Sequence, residues 1–172
     1  MRPLLITAAG GVLVVMLAVT LASCGGSDGK SSSAATEALQ EQSDLYEISL
    51  IERSFHEAIS KKDADQLVGL FSPHATGTFG PGKTVSGQDQ IRSAWLKSTA
   101  WKPETQWVSD HPAYKLKVTI DGDRGTLHFE CHFVDVKTGK VAATTAGNAD
   151  VAKVDGQWVI TNFVGSTTAL KI

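Results

Sequence analysis

Hydrophobic residues between positions 45 and 71 recur every three or four residues, which is the period of amphipathic helices. The longest such run extends from Leu45 to Ile59 and predicts a first helix. Asp63 followed by Gln66 forms a capping-box pattern, which predicts the start of a second, shorter helix that ends before Pro73. Together these segments predict a helical hairpin.

A short hairpin and a third helix are predicted next. Residues 76–85 contain three glycines and a Pro-Gly pair, a composition typical of a tight hairpin. The third helix is predicted to begin near Gly87, with Ile91 and Trp95 on its apolar face.

The C-terminal part of the chain changes to a period of two, which is typical of half-buried strands. Glycine-containing turns divide it into four segments. A series of strands joined by short turns predicts an antiparallel meander, and helices followed by strands predict an α+β fold. The predicted strands are Tyr114–Ile120, Thr126–Val136, Val141–Val154 and Trp158–Val164.

The first 24 residues resemble the signal peptide of a bacterial lipoprotein. Arg2 precedes a long apolar run, and the segment 21–24, Leu-Ala-Ser-Cys, is similar to a lipobox. The resemblance implies cleavage before Cys24, lipidation of that cysteine and anchoring of the chain on the extracytoplasmic face of the cell membrane. The alternative is an uncleaved transmembrane anchor. The flanking sequence argues against it, because no Lys or Arg lies between Arg2 and Lys30.

The composition after the signal segment predicts three regions. Residues 1–23 form the signal peptide, residues 24–43 form a flexible tether that begins at the lipidated cysteine, and residues 44–172 form one folded domain. The tether prediction depends on the Gly, Ser and Ala content of the segment from Gly25 to Ser43.

Charge and cysteine content exclude some classes of protein. The net charge of −2 is too small and too mixed for a nucleic-acid-binding protein. Of the two cysteines, the lipobox contains one, so no disulfide framework is expected. Cys131 lies between Phe129 and Phe133 in a predicted strand, which favours a buried, inert thiol. We expect no cofactor.

The order of elements resembles the NTF2-like superfamily, and its motifs are similar to the SnoaL-like branch over residues 45–165. The similarity includes the Asp63 cap, the glycine at position 87 before the third helix, and the turn motifs at 118–123 and 154–160. It implies a cone: a curved antiparallel sheet wrapped around N-terminal helices, with a pocket between them. Members of the superfamily include dehydratases, isomerases, cyclases and non-catalytic domains, so the fold does not define the function.

The same resemblance nominates catalytic residues. His111 is similar to a histidine that opens the third strand in many SnoaL-like proteins and acts as a general acid or base. The alternative is a loop histidine ahead of Pro112. His74 stands where many members carry an aspartate, so an Asp-His dyad is in doubt, and a residue at a helix C-terminus is the alternative. Asp150 is a candidate second acid if its strand turns it inward, and solvent exposure is the alternative.

Three further residues are candidates for ligand binding. Trp101 and Trp107 lie in a polar stretch where their rings either edge the mouth of a pocket or cap the open end of the cone. Glu52 lies at the edge of the apolar stripe of the first helix, from which its carboxylate either enters the cone or faces solvent.

His128, Glu130 and His132 share one face of a predicted strand. Two imidazoles and a carboxylate suit a zinc ion, but one flat strand spaces them too widely to act alone, so no metal site is predicted. This face is instead expected to meet solvent or the partner of a homodimer.

Three functions are open at this point. The first is a non-catalytic module that holds a small apolar ligand or a partner protein at the membrane. The second is an enzyme of the dehydratase, isomerase or cyclase type that uses His111, and the third is a dimerisation domain.

Overall fold

The computed structural model describes residues 29–109 and 113–170. Three α-helices and seven strands account for most of them, and a short 3₁₀ helix, Thr99–Trp101, follows the third α-helix. In chain order the elements are α1 Gly29–Lys61, α2 Ala64–Gly69, β1 Phe71–Phe79, β2 Val85–Ser86, α3 Gln88–Leu96, β3 Trp107–Ser109, β4 Lys115–Asp121, β5 Arg124–Asp135, β6 Val141–Val154 and β7 Gln157–Ala169.

The seven strands form one bent sheet in the order β2-β1-β7-β6-β5-β3, with β4 paired to the same edge of β5 as β3. The predicted α+β cone, with its curved sheet around N-terminal helices, is confirmed. The sheet is mixed rather than wholly antiparallel, because β1 pairs in parallel with β7. The long connection between these two strands, which includes α3 and the rest of the sheet, allows them to run in the same direction.

Curvature of the sheet depends on bulges and on small inner-face residues. The pairing register shifts between Asp150 and Val151 on β6, which bends that strand. Gly147 on the same strand lies under the ring of Phe129, and a Cβ at this glycine would collide with the ring. The absence of a side chain at Gly147 therefore lets β6 lie close to the Phe129 ring.

The core lies between α1 and the inner face of the sheet. Ile48, Phe55 and Ala58 of α1 are at most 1% exposed. The Phe55 ring lies 5.2 Å from Phe163 of β7 and 5.4 Å from Phe129 of β5, measured between centroids. The hydrophobic stripe predicted for the first helix is thus the side that packs on the sheet.

The first helix begins earlier than the sequence pattern predicts. A start near Leu45 is expected, but α1 begins at Gly29, so residues 29–43 are helical rather than an irregular tether. The segment 34–42 is rich in Ala, Glu and Gln, which have high intrinsic helix propensity, and this outweighs the neighbouring serines. The side chains of residues 33–43 are exposed, and Asp44 is the first buried residue among those whose side chains the structure describes.

Asp44 joins the helix to the far side of the sheet. Its carboxylate accepts hydrogen bonds from Lys153 Nζ at 2.5 Å, Trp158 Nε1 at 3.0 Å and Gln40 Nε2 at 3.2 Å. The Lys153 ammonium, followed by the Trp158 donor, lowers the pKa of Asp44 below its ordinary value. These contacts bind the first packed turn of α1 to β6 and β7.

The shorter predicted elements are largely confirmed. Asp63 caps α2 by accepting from the backbone N–H of Gln66 at 2.9 Å. Residues 76–85 form the hairpin of β1 and β2, and Gly87 precedes α3 with φ of +81°, in the left-handed region that glycine adopts without strain. Pro73 lies inside β1 instead of directly ending α2.

The four predicted strands correspond to β4 to β7, and β3 has no counterpart among the predicted elements. Neither α1 nor any other helix within the described ranges combines the length and apolar composition needed to cross a membrane.

Candidate functional site

A cavity of about 340 Å³, here called the cone cavity, lies between α3, the β1–β2 turn and the sheet. The sheet contributes residues near the start of β6 and the end of β7, and the segment leading into β3 closes one side. The side chains that matter most to its chemistry are Phe79, Trp95, Ser98, Trp107, Thr145 and Phe163.

Aromatic rings give the cone cavity firm apolar walls. The Trp95 ring meets Phe79 edge-on at 5.0 Å and Phe55 at 5.3 Å between centroids. Trp107 is stacked on Phe133 at 6.0 Å. Because these rings are held by the core behind them, the cavity is formed before any ligand enters.

Two residues of the lining, Trp95 near the end of α3 and Ser98 just after it, each carry a buried polar atom. Trp95 is 7% exposed, and its Nε1 is buried without a hydrogen-bond partner within the described ranges. The same holds for Ser98 Oγ. By contrast, Thr145 Oγ1 donates to the Ser166 carbonyl at 3.1 Å. An unmade hydrogen bond of a buried donor costs about 1–3 kcal/mol, which an acceptor group on a ligand would offset.

Ionisable groups are scarce around the cone cavity. Of the described residues that line it, only Lys97 carries an ionisable side chain, and it is exposed. Proton transfer to and from carbon normally needs a positioned acid or base within hydrogen-bond reach of the substrate. Among the described residues, the lining offers Lys97 alone for such a transfer.

The predicted ligand-binding residues separate into three positions. Trp107 lines the cone cavity, as a residue at a pocket mouth should. Trp101 is half-buried, with its ring 6.3 Å from Trp95, and supports the wall from behind. Glu52 is 4% exposed and lies inside the core on α1, away from the cavity lining.

The predicted catalytic residues are not brought together among the described residues. His111 and the lipidation residue Cys24 lie outside the described ranges. His74 is exposed within β1, so it is not at a helix C-terminus. Asp150 is exposed, accepts from Asn162 Nδ2 at 3.1 Å and faces outward. Neither His74 nor Asp150 borders the cone cavity, and the inward orientation considered for Asp150 is wrong.

A second polar group, missed by the sequence analysis as a group, lies in the core. Glu52 and His56, one turn apart on α1, face Cys131 on β5. Cys131 Sγ donates to Glu52 Oε1 at 3.2 Å, and His56 Nε2 lies 3.5 Å from the same oxygen. The available signal was an E-x₃-H pair beside the apolar stripe of a helix. We refer to these three residues as the core triad.

The His128, Glu130 and His132 series lies on the outer face of the sheet. Glu130 accepts from Lys115 Nζ at 2.6 Å and from Tyr114 OH at 3.0 Å, and its Oε1 lies 3.2 Å from His128 Nε2. These partners, Lys115 first, lower the pKa of Glu130 to about 2. The ring of His132 stacks on Tyr114 at 4.5 Å. The series is thus part of a surface hydrogen-bond network.

A bent mixed sheet around N-terminal helices, with a cavity between helix and sheet, defines the NTF2-like class of α+β domains. Residues 40–164 match the family model described as the SnoaL-like domain. The chain belongs to this family, as its motifs indicate. A search of curated proteins found no match.

Solved structures agree with this fold. An NTF2-like protein with a cystatin-like fold from Novosphingobium aromaticivorans has a TM-score of 0.65 and 18% identity, over 82% of this chain and 91% of that chain. A hexachlorocyclohexane dehydrochlorinase from Novosphingobium barchaimii has a TM-score of 0.63 and 13% identity, over 77% and 94%. A ketosteroid isomerase-like protein from Erwinia carotovora atroseptica has a TM-score of 0.59 and 14% identity, over 74% and 98%. At these identities the similarity establishes the fold alone.

Proposed function

We propose that this protein is a non-catalytic SnoaL-like module that binds a small apolar ligand in the cone cavity. The observation that carries the proposal is the lining: aromatic walls, two buried polar atoms without protein partners, and one exposed lysine as the ionisable group among the described lining residues. A volume of about 340 Å³ lies near the lower end of the range of small-molecule sites, so the ligand is small.

The ligand chemistry follows from the two buried polar atoms. Trp95 Nε1 is a donor only, and Ser98 Oγ is both donor and acceptor. A ligand that places a carbonyl or other acceptor oxygen at Trp95 recovers a hydrogen bond that the protein does not make itself. We therefore propose an apolar, aromatic-sized molecule with at least one acceptor oxygen.

Two naphthalenes of nearly equal size test this ligand class. In 2-acetylnaphthalene a carbonyl oxygen occupies the place of one methyl group of 2-isopropylnaphthalene. Titration of the full chain in mild detergent, followed by tryptophan fluorescence, is expected to show both bound at one site, the ketone about tenfold more tightly. Failure of both to bind contradicts the cavity as a binding site, whereas equal affinities contradict only the acceptor requirement.

Matched tryptophan substitutions locate the site. Ala169 lines the cone cavity, and its neighbour Thr168, on the same exposed end of β7, does not. Ala169→Trp is expected to fill the cavity entrance and abolish probe binding, while Thr168→Trp leaves it unchanged. Equal binding by the two variants places the probe elsewhere.

Membrane anchoring through Cys24 is a further part of the proposal, and the lipobox-like sequence supports it. The helical segment 29–43 gives a stand-off of roughly 20 Å between anchor and packed domain at 1.5 Å per residue. In cells fed radiolabelled palmitate, the wild-type chain is expected to carry label in the membrane fraction. A Cys24→Ser chain that is labelled equally would contradict the anchor.

The alternative functions have less support. An acid–base enzyme that uses His111 remains a prediction, and the two partners proposed for it, His74 and Asp150, lie away from the cone cavity. Homodimerisation through the outer sheet face also remains a prediction. If the domain acts only through dimerisation, the naphthalene titration gives no saturable signal.

A further inference from the structure

The core triad has a donor set that metal ions recognise. It offers a carboxylate oxygen from Glu52, an imidazole nitrogen from His56 and a sulfur from Cys131, and these atoms all lie within 4.8 Å of one another. Mixed nitrogen, oxygen and thiolate ligation suits Zn²⁺, whereas Mg²⁺ and Ca²⁺ prefer oxygen alone. We propose that the core triad binds a zinc-class divalent cation that joins α1 to β5.

The spacing of the donors fits a tetrahedral ion. Zinc bonds of about 2.0–2.3 Å at tetrahedral angles place neighbouring donor atoms roughly 3.4–3.6 Å apart. Cys131 Sγ and Glu52 Oε1 are 3.2 Å apart, and Glu52 Oε1 and His56 Nε2 are 3.5 Å apart. The third separation, between Cys131 Sγ and the His56 nitrogen, is at most 4.8 Å, so these two side chains must close by up to about 1.2 Å to seat the ion. On binding, the thiol proton of Cys131 passes to solvent, and the thiolate becomes the ligand.

Burial of the core triad favours the binding of a divalent cation. Cys131 and His56 are 0% exposed, and the imidazole lies among the rings of Phe55, Phe129 and Phe133. A thiolate and a carboxylate together carry two negative charges, which a dication neutralises in a surrounding of low dielectric. The aromatic shell also strengthens the attraction between ion and ligands.

An entry path exists on the outer side of α1. Glu52 also lines an open groove of about 690 Å³, together with Ser60 of the same helix and Val108 and Ser109 of β3. The groove gives an ion access to the Glu52 carboxylate from solvent, and a water molecule from it can complete the tetrahedron. This site is separate from the cone cavity, whose described lining contains no member of the core triad.

Cobalt serves as the spectroscopic probe. The full chain carrying Cys24→Ser, so that Cys131 is its remaining cysteine, is purified in mild detergent, stripped with chelator and titrated with Co²⁺. We expect one equivalent to bind, with a sulfur-to-cobalt charge-transfer band in the near ultraviolet and the visible bands of tetrahedral cobalt, and Zn²⁺ to displace it. Absence of the charge-transfer band overturns the proposal.

Two variants assign the ligands. Glu52→Gln retains the shape of the side chain and its ability to accept from the thiol, whereas Cys131→Ala removes the sulfur. Substituting a residue that merely hydrogen-bonds to a metal ligand already costs roughly 10–100-fold in metal affinity. Loss of either ligand itself is therefore expected to weaken cobalt binding by about 100-fold or more. Glu41→Gln, at an exposed acid of α1 outside the groove, is the matched control and is expected to bind as the parent does.

Folding is checked separately from binding. Circular dichroism of the metal-free chains shows whether each variant folds, and Glu52→Gln keeps the test decisive if Cys131→Ala does not. A rise in melting temperature on adding Zn²⁺ is expected for the parent and the Glu41→Gln chain and not for Glu52→Gln. Cobalt binding that survives Glu52→Gln in a folded chain places the ion elsewhere and overturns the proposal.

Discussion

Single residues determine the chemistry of the cone cavity, and Trp95 is the most informative of them. Its ring builds the wall against Phe55 and Phe79, while its indole N–H is a buried donor without a described protein partner. The two roles are separable, because Phe retains an aromatic ring and lacks the donor.

Trp95→Phe is therefore expected to abolish the roughly tenfold preference for 2-acetylnaphthalene over 2-isopropylnaphthalene while both probes still bind. Fluorescence of the remaining tryptophans, or calorimetry, measures both affinities. Ser98→Ala is the companion variant and is expected to reduce the preference less, since a hydroxyl rotates to other partners. An unchanged preference in Trp95→Phe would show that the indole donor does not meet the ligand.

Residue type alone indicates where some side chains lie. The indole ring of Trp107, with an apolar body and a polar tip, suits either a pocket mouth or a cap on the open end of the cone, and Trp107 lines the cavity. The face of β6 on which the Asp150 side chain lies could not be predicted. Alternation along a strand assigns faces only while the register is regular, and the register shifts between Asp150 and Val151. The core triad joins helix and strand residues far apart in sequence, so spacing alone could not find it.

At the scale of elements, the Asp44 carboxylate joins the first packed turn of α1 to β6 and β7. Asp44 accepts three hydrogen bonds at the point where the exposed helix becomes a packed one. Asp44→Asn removes the charge that attracts Lys153, and the melting temperature at pH 7 is expected to fall by about 4 °C. Thermal unfolding followed by circular dichroism measures the change. Glu41→Gln, at an exposed acid on the same helix, is the control and is expected to melt as the wild type does.

The same interaction predicts a pH dependence. The pKa of Asp44 is lowered in the folded state, so its contribution to stability is complete above the unfolded-state pKa of about 3.9. This contribution is lost as the pH falls through the folded-state pKa. The difference in melting temperature between wild type and Asp44→Asn is therefore expected to stay constant from pH 7 to about pH 4 and to shrink below it. A difference that grows on acidification would contradict this assignment.

A second element, β6, depends on Gly147 to pack against the ring of Phe129 on the neighbouring strand β5. Gly147→Ala places a methyl group against the Phe129 ring, and overpacking of this kind costs about 1–3 kcal/mol. Denaturant unfolding is expected to show this loss of stability. Gly69→Ala, where a Cβ meets nothing within 4 Å, is expected to be neutral or slightly stabilising. Equal stability of the two variants would indicate that the ring moves aside freely.

Element boundaries were predictable where local pattern dominates and not where distant pairing does. The bounds of β6 agree with prediction, since turn residues flank a clear alternation. The parallel pairing of β1 with β7 joins segments about ninety residues apart and leaves no local signal. The early start of α1 reflects helix propensity in a segment whose described side chains, those of residues 33–43, are exposed, where composition suggested an irregular chain.

At the scale of the whole molecule, the cone separates three environments. The cone cavity has aromatic walls and several polar side chains, the core triad is buried beside phenylalanines, and the outer sheet face carries a network of charges around Glu130. Periodicity predicted the order of helices and strands, and the resemblance of that order to the NTF2-like superfamily implied the cone. The contents of the cavity depend on how the ends of α3, β6 and β7 converge, which no single segment encodes.

We propose above all that the cone cavity holds a small molecule. Native mass spectrometry of the full chain, released from detergent after purification from cells that produce it naturally, tests this most directly when wild type and Ala169→Trp are compared. The wild-type chain is expected to carry one non-covalent molecule of defined mass, with an acceptor oxygen, and the Ala169→Trp chain is expected to carry none. A wild-type chain that carries nothing, or a variant that retains the same molecule, would contradict it.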